Sequence, residues 1–153
     1  MSRPTSVLVV ANVTAASEEL VEALRGRAER GPIRLTLLMP CTGPGLHSRN
    51  EARPRLDAAL ERWRAAGLEA EGVVGDEDPL EAVHEVWDPR EFDEIVVSTL
   101  PGPESRWMRC DLLSRLMRMT DAQVTHVHSA PRGPEVRRAL AEDRMRRPRA
   151  VAG

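Results

Sequence analysis

Ser98 and Thr99 close an apolar run at residues 94–98 (EIVVS), and Gly102 follows within the turn Leu100-Pro101-Gly102-Pro103. Hydroxyls and a glycine between a strand and a helix can hold a nucleotide phosphate, because backbone N–H groups point inward there and glycine permits close approach. The two prolines oppose that chemistry, since Pro101 and Pro103 have no N–H and hold φ at about −65°. Arg106 and Arg109, at the start of the next helix, supply positive charge. Trp107 between them either stacks on a base or covers the sheet.

Two other clusters carry chemistry by residue type. His126 and His128 are two apart on a strand and therefore share a face. With Cys110 or His84 as a third ligand they form a weak metal candidate; as part of an interface strand they would make pairing sensitive to pH. Asp76, Glu77 and Asp78 place three carboxylates at a helix start, where they complement the helix dipole without any catalytic role. No GxSxG, HExxH or GxGxxG signature occurs. All 22 basic residues are arginine, which excludes a Walker A lysine and a Schiff base. No catalytic residue is assigned, and an enzyme is not expected.

A chain of 153 residues is the size of one domain with a real core, and 41% apolar with 30% charged residues is an ordinary globular composition. No apolar run approaches the roughly 18 residues that span a bilayer. The run at residues 7–11 is too short for a signal-peptide core, so a cytoplasmic location with no membrane contact is expected. Cys41 and Cys110 are isolated and read as reduced thiols. The net charge of −2 is uneven: residues 131–153 hold seven arginines against three carboxylates, +4, which leaves −6 on the rest. We divide the chain into a domain at 1–130 and a basic, partly helical tail at 131–153. The short tail on an acidic body argues against nucleic acid as the main partner.

Strands and helices alternate along the domain. The continuous apolar run at 7–11 reads as a parallel strand covered on both faces, and 33–39, 68–74, 94–98 and 124–128 read as the four other strands. Between them, Thr14 or Ser17 caps a helix carrying Leu20, Val21 and Leu24. A second helix, 53–66, carries Leu56, Leu60 and Trp63 and stops at Gly67. A short third helix starts at Pro79, and a fourth covers 105–119. This order predicts an α/β, flavodoxin-like (Rossmann-like) three-layer sandwich, with a five-stranded parallel sheet and helices on both faces. Ligands in such sheets sit beyond the strands' carboxyl ends, which places Asn12, Thr14, Pro40, Gly75 and residues 98–102 around one crevice.

With these elements placed, four stretches resemble the universal stress protein family over roughly residues 6–128. They are VLVVANVTAASEELVEAL, RLTLLMP, LEAEGVVGDEDPLEAVHE and FDEIVVSTLPG. The resemblance implies strand order 3-2-1-4-5, a homodimer joined along the last strand through Val124, His126, Val127 and His128, and either an ATP-binding or a non-binding member. An ATP-binding member carries Gly-x2-Gly-x9-Gly before Ser or Thr. On this chain those glycines fall on Ser98, Pro101 and Cys110 or Asp111, and the aspartate expected after the first strand falls on Asn12. The expectation is a regulatory or interaction module, with a possible protein partner, no cofactor and no family-style ATP binding. The alternative is a protein that binds ATP or AMP, with at most weak ATPase activity. It would use Asn12, Thr14, the Met39 backbone, Gly75, Ser98, Thr99, Gly102 and Arg106.

Overall fold

A computed structural model describes residues 3–43, 45–100 and 111–129. Five strands, β1 (Thr5–Val10), β2 (Ile33–Pro40), β3 (Ala70–Gly75), β4 (Glu94–Thr99) and β5 (Gln123–His128), form one parallel sheet in the order β3-β2-β1-β4-β5. Four described helices connect them: α1 (Glu18–Glu29), α2 (Gly45–Ala65), α3 (Pro79–Val86) and α4 (Leu112–Thr120). This is the expected α/β architecture. The strand order reverses beside β1, so the connections leaving β1 and β4 diverge and open a crevice at their carboxyl ends.

Both sheet faces are covered, which explains why the central strands are apolar without alternation. On one face Val7, Val9 and Leu37 pack against Leu24, Leu56 and Trp63 of α1 and α2. On the other, Leu8, Val10 and Val97 pack against Val83 of α3 and Leu116 of α4. Trp63 is fully buried, and its indole Nε1 donates to the Ala15 carbonyl at 2.8 Å, so its one polar atom is satisfied inside the core. That bond ties the middle of the chain to the loop leaving β1. Arg27 of α1 clasps Glu94 at the start of β4 through Nε and Nη2, at 2.9 and 3.2 Å.

The helix ends follow local chemistry. Ser17 rather than Thr14 caps α1, its hydroxyl accepting from Leu20 N. Asp78 caps α3 ahead of Pro79 at the first helical position. Two boundaries differ from the sequence reading. Helix α2 begins at Gly45 instead of residue 53 and runs through Pro54, whose ring lies on the exposed side. The extra turns seat Ala52 on the sheet, 3% exposed, and that burial accompanies a proline that removes one helical hydrogen bond. Of the helix read at 105–119, residues 105–110 lie outside the described residues; α4 runs from Leu112, and Asp111 just before it is left-handed at φ 54° rather than helical. Among the described residues no helix is long and apolar enough to cross a membrane.

Candidate functional site

The carboxyl ends of the strands bring together a buried set of hydroxyls. Thr14 lies in the loop after β1, Ser98 near the end of β4, Ser129 just past β5, and Ser17 at the start of α1. Thr14 Oγ1 is 2.8 Å from Ser98 Oγ, Ser98 Oγ is 2.9 Å from Ser129 Oγ, and Ser129 Oγ is 2.8 Å from Ser17 Oγ. The two ends of this chain set its direction. The Leu20 N–H donates into Ser17 Oγ at 3.1 Å, and Thr14 Oγ1 donates to the Ser98 carbonyl at 3.2 Å. Running from Leu20, each hydroxyl then donates one proton to the next and accepts one from behind, and no donor is left over. Thr14, Ser98 and Ser129 are 2%, 1% and 0% exposed, so their bonding is complete without solvent or ligand.

Beside this chain lies a second closed arrangement. Asn12 Nδ2 donates to the Pro40 carbonyl at 2.8 Å, and Arg55 Nη1 of α2 donates to Asn12 Oδ1 at 2.7 Å. One partner needs a donor and the other an acceptor, so the amide orientation is fixed and an aspartate would set a carboxylate against the Pro40 carbonyl. The arginine thus meets a neutral amide where the resemblance implies an acid.

The remaining predicted residues are placed as follows. Met39 is fully buried and pairs with Val74 in the ladder to β3. Gly75 accepts from Cys41 N at 3.1 Å; an added Cβ there would lie 2.8 Å from both Ala82 Cβ and Leu38 Cδ1. Its glycine is therefore required by the close approach of α3, with no ligand needed to explain it. Thr99 is 3% exposed and turns to the opposite face from Ser98, where its Oγ1 is 2.6 Å from His126 Nε2. Gly102, Arg106, Pro101, Pro103, Trp107, Arg109 and Cys110 lie outside the described residues, as does the tail beyond residue 129. Ser17, Ser129 and Arg55 were not among the predicted site residues. Ser129 had a usable signal in its position one residue past a strand's carboxyl end; Arg55 had none.

His126 and His128 have ring centroids 4.0 Å apart, as their shared face requires. Val124 packs toward the α3/α4 core and Val127 toward the α1/α2 core, while among the described strands β5 pairs with β4 alone. Burial, followed by the neighbouring His128, lowers the His126 pKa below 6.5. Among the described residues no group of three or more His, Cys, Asp or Glu is placed to hold a metal, and His84 instead faces Glu81 on α3 at 3.8 Å. A depression of about 210 Å³ bounded by Arg25, Glu29 and Leu68 lies at the opposite end of the sheet, away from these groups.

Solved structures place this fold. The chain superimposes on a universal stress protein from Archaeoglobus fulgidus with TM-score 0.61 and 15% identity, over 82% of this chain and 99% of that one. A universal stress protein in complex with cAMP matches with TM-score 0.56 and 22% identity, over 84% and 99%. A universal stress protein family protein from Arabidopsis thaliana with AMP bound matches with TM-score 0.54 and 14% identity, over 82% and 92%. No family model and no curated protein matches the sequence. The chain has the fold of the universal stress proteins, and its described crevice groups bond to one another.

Two consequences can be measured. Ser98→Ala removes the central hydroxyl and strands Thr14 and Ser129, so urea denaturation should show a loss of about 1–3 kcal/mol. The second concerns acid. A histidine whose folded pKa lies below its unfolded value of about 6.5 resists protonation in the folded state, so its contribution is complete above that pH and is lost as pH falls through the window beneath it. Urea midpoints of His126→Gln should accordingly fall less steeply than wild type between pH 6.5 and the lowered value.

Proposed function

We propose that this chain is a member of the universal stress protein family that acts as a homodimeric regulatory or interaction module. It performs no enzymatic turnover and does not bind ATP in the family manner. One observation carries the reading: the side chains that would contact a nucleotide's sugar and phosphates, Thr14 and Ser98, are buried and satisfied by each other and by Ser129. A nucleotide would have to break those bonds and desolvate the same hydroxyls again, which costs about 1–3 kcal/mol for each group left unpaired. Asn12 is committed in the same way to Pro40 and Arg55.

Dimerisation along β5 is supported by the strand's position at the edge of the described sheet, where one side of its backbone has no partner among the described strands. His126 lies on that strand, so its lowered pKa offers a link between acidity and pairing. A protein partner would then read the outer surface of the dimer.

The second reading is adenine-nucleotide binding. What favours it is that structures of the same fold were solved with cAMP, dAMP and AMP. Isothermal titration with ATP, AMP and cAMP, with and without Mg²⁺, separates the two. The expected result is no heat at sub-millimolar nucleotide from a protein that sediments as a folded dimer. Sub-millimolar binding of any of the three would overturn the reading.

A further inference from the structure

The chain contains two arginines whose surroundings can be compared directly. In Arg27, Nε and Nη2 form a fork that clasps the Glu94 carboxylate at 2.9 and 3.2 Å. In Arg55, also part-buried, Nη1 is tethered to Asn12 Oδ1 at 2.7 Å, and Nε and Nη2 have no partner among the described residues. Among the described residues, the two atoms that bind a carboxylate in the first arginine meet no acceptor in the second.

The tether matters because it fixes the plane of the guanidinium. Asn12 is itself held by Pro40 at 2.8 Å, so the order runs from the sheet through the amide to the arginine. A fork held in this way has already lost much of the side-chain freedom that an exposed arginine gives up on binding. No ion pair involves Arg55 among the described residues. Arg49, the other part-buried arginine on α2, donates to a neutral acceptor, the Val74 carbonyl of β3, at 3.4 Å, and no ion pair involves it among the described residues. The carboxylates flanking Arg55 on α2 have other partners, Glu51 with His47 at 3.0 Å and Asp57 with Arg53 at 3.9 Å, and past β3 Asp76 Oδ1 accepts from Asp78 N while Asp78 Oδ1 accepts from Leu80 N.

We propose that Arg55, oriented by Asn12, is the anchor of a binding site for a compact oxyanion, a carboxylate or a phosphate. The ligand meets the Nε/Nη2 edge in the bidentate geometry that Glu94 adopts on Arg27. Arg49 adds to the local field that attracts it. Nothing in this assignment depends on the nucleotide pocket being given up, because the site uses atoms of Arg55 that neither the hydroxyl chain nor Asn12 occupies.

The test is a thermal-shift titration of the full chain with inorganic phosphate and with malonate, at constant ionic strength against chloride. Wild type, R55Q, R55K and R53Q are compared, with circular dichroism confirming that each is folded. Arg53 is exposed on the same helix and pairs only weakly with Asp57, at 3.9 Å, so R53Q removes the same charge without touching the fork. The expected result is a saturable rise in melting temperature for wild type and R53Q with at least one of the two anions. R55Q should bind roughly tenfold or more weakly, the effect of losing a charge-assisted hydrogen bond. R55K, which keeps the charge and loses the fork, should fall between them. Equal shifts in all four proteins would mean general anion screening, and no shift in wild type would mean no site; either overturns the assignment. AMP binding that survives in R55Q while phosphate binding is lost would overturn the proposed function and leave this inference standing.

Discussion

The structure around the crevice depends on one constraint: the buried hydroxyls of Thr14, Ser98 and Ser129, with the part-buried Ser17 at the start of α1, must satisfy one another. Burying a hydroxyl without a partner costs about 1–3 kcal/mol on mutational scales, so three uncompensated ones would consume a large share of a small domain's stability. The chain from the Leu20 N–H through Ser17, Ser129, Ser98 and Thr14 to the Ser98 carbonyl removes that cost by giving every donor one acceptor. It also joins elements remote in sequence, since Ser17 and Ser129 are 112 positions apart. The start of α1 and the end of β5 are therefore held to the same point on β4.

The consequence for function follows from bookkeeping of bonds. Hydroxyls that line a phosphate site need free donors aimed outward, and these are used internally. On the β2 side, Asn12 is closed by a backbone carbonyl and a guanidinium. Asparagine suits this place because it both donates and accepts, which aspartate at neutral pH cannot do. Where the resemblance implies an aspartate, asparagine at residue 12 thus changes more than a charge: its amide holds Pro40 and orients Arg55 at once.

Much of the fold was legible because a parallel strand covered on both faces must be apolar throughout, and VLVVA, IRLTLLM and EIVVS are nearly so. The strand order came from the resemblance and agrees with the observed sheet. Helix starts were less legible. Pro54 looks like a first-turn residue, yet α2 begins nine positions earlier, at Gly45, because Ala52 has sheet to cover. At the site, rules about strand ends grouped Asn12, Thr14 and Ser98, and the structure has all three at the carboxyl end of the sheet. They could not show what those residues touch, since Arg55 reaches Asn12 across 43 positions and Ser129 reaches Ser98 across 31. Thr99 was grouped with Ser98 as a ligand position, but alternation along β4 sends it to the other face and onto His126.

The most direct measurement is an NMR titration that watches the side-chain amide of Asn12 while AMP is added to millimolar concentration. The chain has only Asn50 and Gln123 as other side-chain amides, so the signal can be assigned by substitution. A crevice closed by its own hydrogen bonds predicts an Asn12 amide that exchanges slowly with solvent and stays slow at saturating AMP, even where a phosphate on Arg55 shifts its signal with the Asn12 bonds intact. Faster exchange of that amide on addition of AMP would contradict the account, because it requires the bonds to Pro40 and Arg55 to open.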